Sequence, residues 1–401
     1  MVNAPSAPVI PRDTEPTRSV RLPLMDGMRA LAILGVLGVH LGHYSGANVH
    51  AWYAGLTSHL KVGVNVFFLI SAFLLYRPHA LSLLGGPNPP PTRVYVRRRM
   101  LRIAPAYWIA LTLLAIWPGL PGVLTRNWWI FYGFAQAYNL ETVFQGIPAA
   151  WSLTVEVGFY AALPALAWLL NRLCQTLAPA AAVRRQLVVL ATLGAIGEVL
   201  RLSLREAFPA VIVTFPGLLL DFSVGMALAV LHANAERTGE LPRTLRAIAL
   251  RPGACWTAAA CLYVGISMTK IFPRGFETPS SDWALALQHP VYVLFATALL
   301  LPAVFGDSSV GLPRRFLASR SLQWIGMTSY GVFLYHQPIL IFLAASRFAG
   351  WIHGWPLLSL AALGVPISLL CGAASHRWVE QPAMRLRSAP YGVRRVAPDP
   401  G

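Results

Sequence analysis

Arg29 and His40 stand eleven residues apart in the first apolar segment of this 401-residue chain. At about 100° per residue, that spacing returns both side chains to nearly the same helix face, roughly 16 Å apart along the axis. Ionisable groups are expensive inside a bilayer and persist where they serve transport, proton transfer or catalysis. A neutral imidazole takes a proton from a hydroxyl near neutral pH, most readily within reach of a carboxylate. Glu156, in WSLTVEVGFY, is such a carboxylate about one turn into the fourth apolar segment, and His336, in SYGVFLYHQP, lies near mid-depth in the ninth. Arg93, Arg97, Arg98, Arg99 and Arg102 precede the third segment without an intervening lysine. Arginine is the side chain suited to bidentate phosphate contacts.

Each of these residues has a plainer reading beside the chemical one. His40 fits a polar residue satisfied by a backbone carbonyl, Glu156 a structural partner of an outer arginine, and His336 a core hydrogen bond flanked by Pro338. The arginine run fits a topology determinant that also attracts anionic lipid. Asp221, Glu198 and Arg201 lie in or near apolar segments, and Glu198 and Arg201, at i,i+3, are placed to neutralise each other. His43, His50 and His59 cluster near the first outer loop with a spacing that favours solvated histidines over a metal site. No H-E-x-x-H, G-x-S-x-G or P-loop motif occurs, so metal-assisted hydrolysis, a nucleophile elbow and nucleotide hydrolysis lack sequence support.

The elements that must position these groups are membrane helices. The chain is 56% hydrophobic and 12% charged, with a mean hydropathy of +0.56, a composition of polytopic membrane proteins. Apolar windows at about 24–43, 60–77, 103–124, 151–171, 187–204, 211–231, 254–271, 284–305, 324–346 and 356–375 predict an all-α bundle of about ten transmembrane helices. Of the 32 basic residues, 24 fall in the tails and alternate loops on one side, which predicts cytoplasmic N- and C-termini. The aromatic stretch Trp128–Tyr138 reads as interfacial or re-entrant on the outer side, since an eleventh span would spoil that asymmetry. The net charge of +17 follows from this topology rather than from nucleic-acid binding, because no Lys/Arg stripe interleaves with stacking aromatics.

Cys174, Cys255, Cys261 and Cys371 lack C-x-x-C spacing and read as small buried residues. The Pro-rich start carries no cleavable signal, so the first span itself directs insertion. The domain plan is a flexible cytoplasmic tail at 1–21, a membrane domain at 22–387 and a second flexible tail at 388–401. The Gly/Pro-rich linker 85–92 is also expected to be flexible, and no internal repeat is visible.

Five motifs, in order, resemble the acyltransferase 3 family of integral-membrane O-acyltransferases: DGMRALAILGVLGVH, GVNVFFLISAFLL, VRRRMLRIAPAYW, WSLTVEVGFY and IGMTSYGVFLYHQPIL. The resemblance covers about residues 22–385. It implies transfer of an acyl group, commonly acetyl, from cytoplasmic acyl-CoA to a hydroxyl of a sugar, glycolipid, peptidoglycan or glycosylated natural product such as a macrolide. Arg29 and His40 match the family's R-x10-H pair and Trp151, Ser152 and Glu156 its WSLxxE motif. Arg97, Arg98 and Arg102 match the basic motif, and Tyr330 and His336 the late one. Ala72 stands where the family has Gly, Asn65 where an acid is frequent, and Gln381 where Arg is common. An extra extracytoplasmic hydrolase-like domain found in some members is not expected.

The resulting expectation has His40, oriented by Glu156, removing the acceptor's proton or carrying the acyl group itself. Arg97, Arg98 and Arg102 hold the phosphates of acyl-CoA, a co-substrate with no bound cofactor or metal alongside it. Arg29 binds a phosphate or stabilises developing charge, and His336 positions the acyl group. Expected partners are the acyl donor, a glycosylated acceptor and the lipid bilayer of a bacterial cytoplasmic membrane, with oligomeric state undetermined. The competing class is a proton-coupled transporter using Arg29, His40, Glu156 and His336 as a relay. Use of Arg97 and Arg102 for CoA binding separates the two.

Overall fold

The computed structural model describes residues 22–269, 271–274, 281–306, 310–346, 348 and 351–386. Both expected tails, together with Lys270 and Arg347 of the charge count, lie outside them. Ten long helices occupy the ten apolar windows, and no strand occurs among the described residues. They are α1 (Pro23–Tyr44), α2 (Gly63–Leu83), α3 (Thr92–Ile116), α4 (Trp151–Cys174), α5 (Pro179–Ser203), α6 (Leu219–Thr238), α7 (Pro252–Met268), α8 (Asp282–Val304), α9 (Arg320–Ala344) and α10 (Pro356–Ser375). Eight of them are long and apolar enough to cross a membrane, all but α7 and α9. α7 has 17 residues, and α9, with 25, buries Thr328, Ser329, His336 and Gln337 along its length. Helices suit the bilayer because every backbone polar group is satisfied within the segment.

Sequence punctuation sets the ends. Pro23 opens α1 with Asp26 in its first turn, where a missing N–H costs nothing and a carboxylate meets the positive end of the helix dipole. Gly239, at φ 72°, closes α6 in the left-handed region. The third window is displaced: its helix starts at Thr92, after Pro91, and ends at Ile116. The arginine run therefore lies on the helix instead of ahead of it. Residues 86–91 carry no regular structure. The aromatic stretch forms a five-residue helix, Trp128–Tyr132, and a single turn, Gln136–Tyr138. At 1.5 Å per residue it is far too short to span. It folds back on α3, with Phe131 fully buried and Tyr107 donating to Phe131 O at 3.0 Å.

α1 is central, packed along α9 on one side and α2 on the other. Gly326 permits the close crossing with α9, since a Cβ there would strike the carbonyl of Asp26. α2 packs on α6, α6 on α5, and α9 on α10. The main core joins α2, α4 and α6 through packed rings, Phe159 stacked on Phe222 at 4.4 Å and Phe68 tilted against Phe222 at 5.1 Å between centroids. After α10, a π-helical turn at His376–Glu380 carries Gln381–Arg385 back against α3.

Candidate active site

A cavity of about 270 Å³ opens among α1, α2, α3, α4 and α9. Arg29, Arg99 and Arg102 supply cations, Glu156 a carboxylate, and Ser71, Ser152, Tyr160, Ser329 and Tyr330 hydroxyls. Val36, Phe67, Leu153 and Phe333 are among its apolar walls. Arg29 Nη1 is 3.3 Å from Asp26 Oδ1, one turn back on α1. Arg99 lies with its guanidinium carbon 6.0 Å from the Tyr160 ring centroid, and its buried Nε has no hydrogen-bond partner. Arg102 Nη1 donates to Met384 Sδ at 3.2 Å. This end of the cavity gathers three cations.

Arg99 and Arg102, at i,i+3, share one helix face, and that face looks into the cavity. Arg97 and Arg98 do not line it. Arg97 Nη2 donates to Leu386 O at 2.9 Å, and Arg98 is exposed. Of the arginines expected to hold phosphates, Arg102 lines the cavity and Arg97 and Arg98 do not, while Arg99, the neighbour of Arg98, does.

Glu156 is also placed differently from expectation. Its Oε1 accepts from Ser71 Oγ at 2.7 Å and its Oε2 from Tyr160 OH at 3.0 Å. Neither oxygen bonds His40. Tyr95, in the first turn of α3, donates to Tyr160 O at 3.1 Å, which draws this part of α4 to the level of the arginines. Glu156 therefore faces Arg29 and Arg99 instead of the outer end.

His40 is buried, with 8% of its surface exposed, and so is His336, at 0%. His336 Nδ1 lies 3.1 Å from Val332 O and 2.9 Å from Phe333 O. Both are acceptors, so Nδ1 carries the hydrogen and Nε2 the lone pair. That Nε2 lies 3.1 Å from His40 Nδ1, which is also 2.8 Å from Val36 O. His40 Nδ1–H therefore donates to a carbonyl and to His336, which makes Nε2 its basic nitrogen. Both plainer readings hold in part, since each ring meets a backbone carbonyl. The two rings are 5.0 Å apart, joining α1 to α9. Val36 and Phe333, each about one turn away from these rings on the arginine side, line the cavity.

Among the remaining candidates, Ser152 lines the cavity while its Oγ donates to Ala149 O at 3.0 Å. Tyr330 lines it while donating to Ile103 O at 2.9 Å. Trp151 packs against the main core. Sequence reasoning missed Ser71 and Tyr160. Tyr160 carried a signal, as it lies at i+4 from Glu156, whereas nothing local marks Ser71.

A second polar cluster lies elsewhere in the bundle. His289 Nδ1 is 2.5 Å from Glu198 Oε1 and its Nε2 2.6 Å from Asp221 Oδ2. Asn65 Nδ2 donates to Asp221 Oδ1 at 2.8 Å, so the carboxylate absent at position 65 is supplied from α6. Arg201 donates to Ile212 O at 2.9 Å. Glu198 is thus paired with His289, not with Arg201 as expected from their spacing. His59, expected to be solvated, is 1% exposed and lies 2.6 Å from Tyr292 OH, while His43 and His50 are exposed. Among the described residues no group of three or more His, Cys, Asp or Glu is arranged to hold a metal ion. Cys174 is buried, Cys255 and Cys371 are half-buried and Cys261 is on the outer surface of the bundle, so burial describes them only in part.

Comparison with known proteins agrees with the motif reading. Residues 23–376 match the family described as acyltransferase domain. Over 429 residues the chain is 24% identical to acyltransferase MdmB of Streptomyces mycarofaciens, covering 96% of this chain and 97% of that one. It is 21% identical to peptidoglycan O-acetyltransferase OatA of Listeria monocytogenes, covering 90% of this chain and 55% of that protein. For O-acetyltransferase OatA of Staphylococcus aureus the identity is 23%, over 90% and 57%. The chain thus spans about half the length of the OatA proteins it matches. No solved structure matches it. With nearly all of the helical bundle inside the matched region, and with eight helices fit to cross a membrane, the chain belongs to the acyltransferase 3 family and is a multi-pass membrane acyltransferase.

Proposed function

We propose that this protein is an O-acyltransferase that moves an acetyl group from acetyl-CoA to a hydroxyl of a carbohydrate-containing acceptor. The acceptor class comprises cell-envelope glycans, glycolipids and glycosylated natural products such as macrolides. One observation carries the reading: a cavity with three arginines at one end stops about one turn short of a buried pair of histidines. Family membership favours group transfer over solute transport.

In this reading all ten helices cross a bacterial cytoplasmic membrane, both termini are cytoplasmic, and the arginine end faces the cytoplasm. Arg29, Arg99 and Arg102 hold phosphates of acetyl-CoA, with Arg97 and Arg98 at the mouth. The cavity, slightly below the ~300–1,000 Å³ of typical ligand pockets, takes the slender acyl-pantetheine arm and leaves the nucleotide outside. Arg29 lies roughly 16 Å down the helix from His40, so it serves the anionic end of the donor and not the reacting carbonyl. Tyr330, Trp151 and Ser152 shape the passage, and Glu156 balances the arginines.

The reaction occurs beneath the histidine pair. His40 Nε2 takes the proton of the acceptor hydroxyl as its oxygen attacks the thioester carbonyl. The new C–O bond forms, the C–S bond breaks, and the leaving thiolate takes the proton back from His40. His336 accepts from His40 Nδ1–H throughout, fixing the ring and sharing the transient positive charge, in place of the acyl-positioning role expected from the motif.

The test is transfer of labelled acetyl from acetyl-CoA by the purified full chain in detergent, offered sugars, glycolipids and macrolides. Acylated product that disappears in folded His40→Ala is the expected result. Absence of product with every acceptor, together with no acetyl-CoA binding, overturns the proposal.

A further inference from the structure

Beyond the histidine pair, on the side away from the arginines, the structure holds a small polar group that the transfer chemistry does not use. Tyr44 lies one turn past His40 on α1, with its ring stacked on the imidazole at 6.5 Å and 21°. It is half-buried beside exposed His43 at the end of the helix. Gln337 follows His336 on α9 and is 8% exposed. Its Nε2 donates to Tyr44 OH at 2.9 Å, and its Oε1 is buried with no partner.

Buried amide oxygens are nearly always paired, with protein or with water, so this orphan beside the proposed base offers an acceptor to a hydroxyl that arrives there. Turning the amide over leaves the nitrogen orphaned instead. A hydroxyl satisfies either orientation, because it both donates and accepts. Pro338 follows directly within α9, and its missing N–H removes a rung from the helix ladder beside this site.

We infer that Gln337 and Tyr44 form a hydroxyl-recognition subsite for the acceptor, reached from the end of the bundle opposite the arginines. This rests on the acyl-transfer reading above. Its consequence is a substrate class: a diol, an acceptor with a second hydroxyl close to the one that is acylated. One hydroxyl gives its proton to His40 Nε2 while its neighbour bonds Gln337 and Tyr44. Donor and acceptor then approach the histidine pair from opposite sides, which keeps the acceptor out of the donor cavity.

The experiment measures acetyl transfer from acetyl-CoA to whichever of chitotetraose, a lipid-linked disaccharide or a glycosylated macrolide the full chain acylates. Each is compared with its analogue lacking the free hydroxyl nearest the acylated one. Wild type is expected to favour the diol at least tenfold in kcat/KM. Gln337→Leu is expected to cut that preference to within twofold and to raise the acceptor KM, with the KM for acetyl-CoA held within twofold. Tyr44→Phe, which keeps the ring, reports the same ratio should Gln337→Leu fail to fold. A diol preference that persists in both variants, or that is absent in wild type, overturns the subsite while transfer itself stands. No transfer from any of the three in wild type overturns the acyl-transfer reading on which it rests.

Discussion

Replacing His336 with leucine separates a buttressing role from an acyl-positioning one. In the structure His336 touches the reaction only through its Nε2, 3.1 Å from His40 Nδ1. When His40 takes a proton, that contact becomes a charge-assisted hydrogen bond, worth ~1.5–3 kcal/mol. Val36 O, at 2.8 Å, shares the same N–H and remains in the variant. The loss therefore falls in the lower part of the range, ~1.5–2 kcal/mol, which lowers kcat about 10- to 30-fold. Deleting the base itself, in His40→Ala, removes roughly 10²- to 10⁴-fold. The KM for acetyl-CoA stays unchanged in His336→Leu, because the donor cavity ends at Phe333, a turn away. His336→Gln, whose amide oxygen can accept from His40, recovers most of the rate. Steady-state acetyl transfer by the detergent-purified variants measures all of this. A His336→Leu enzyme within twofold of wild type in kcat, or a His336→Gln enzyme no better than His336→Leu, refutes the reasoning.

The arginines should divide by helix face. Arg99→Leu and Arg102→Leu each raise the KM for acetyl-CoA about tenfold, the worth of one charge-assisted contact, whereas exposed Arg98→Leu changes it less than threefold; titration of acetyl-CoA binding checks the order. Glu156→Gln lowers kcat less than His336→Leu does, since its hydrogen bonds run to Ser71 and Tyr160, and a larger loss would restore it as the partner of His40. Arg314 is fully buried and donates to the carbonyls of Pro302, Val310, Ala249 and Phe305. With at least ~1 kcal/mol for each acceptor left unpaired, Arg314→Leu destabilises by about 4 kcal/mol or more and exposed Arg315→Leu by little, as thermal unfolding in detergent will show. His289→Leu removes a partner from the buried carboxylate of Asp221 and from the half-buried one of Glu198 and costs ~3 kcal/mol, read in the same assay, with acetyl-CoA affinity unchanged in the protein that remains folded.

Hydropathy made the helices legible, because a membrane helix must be apolar over its whole length whatever it packs against. All ten windows contain one, with errors at the ends where Pro91 and the Gly/Pro linker, rather than apolarity, decide the start. The arginine run shows how such an error reaches the site. Ahead of the helix, its members could be sorted only by motif resemblance, which picked Arg97, Arg98 and Arg102; as the opening of α3 they acquire a phase, and Arg99 and Arg102 line the cavity. Arg314 shows the converse: counted among the basic residues that set topology, it is a core side chain saturated by carbonyls. Charge counting cannot tell these apart, because the carbonyls that hold it come from α8, its flanking loop and a separate short helix.

Partnerships between distant helices were the illegible part. His40 and Glu156 were matched as base and carboxylate on residue type alone, but helix crossing chose His336 for His40, 296 residues away, and Ser71 for Glu156, 85 residues away. The same holds at Asn65, where the missing acid is made good by Asp221 across 156 residues. The R-x10-H spacing is informative for a different reason: both residues ride on one continuous helix, so their separation is set by helix geometry without help from neighbours. That separation puts a cation at one end of the cavity and the His40 imidazole past its other end. In the proposed mechanism an eleven-residue interval on α1 acts as a ruler for an extended acyl donor, and α9, crossing α1 closely at Gly326, brings His336 and Gln337 to the end of that ruler where the acceptor arrives.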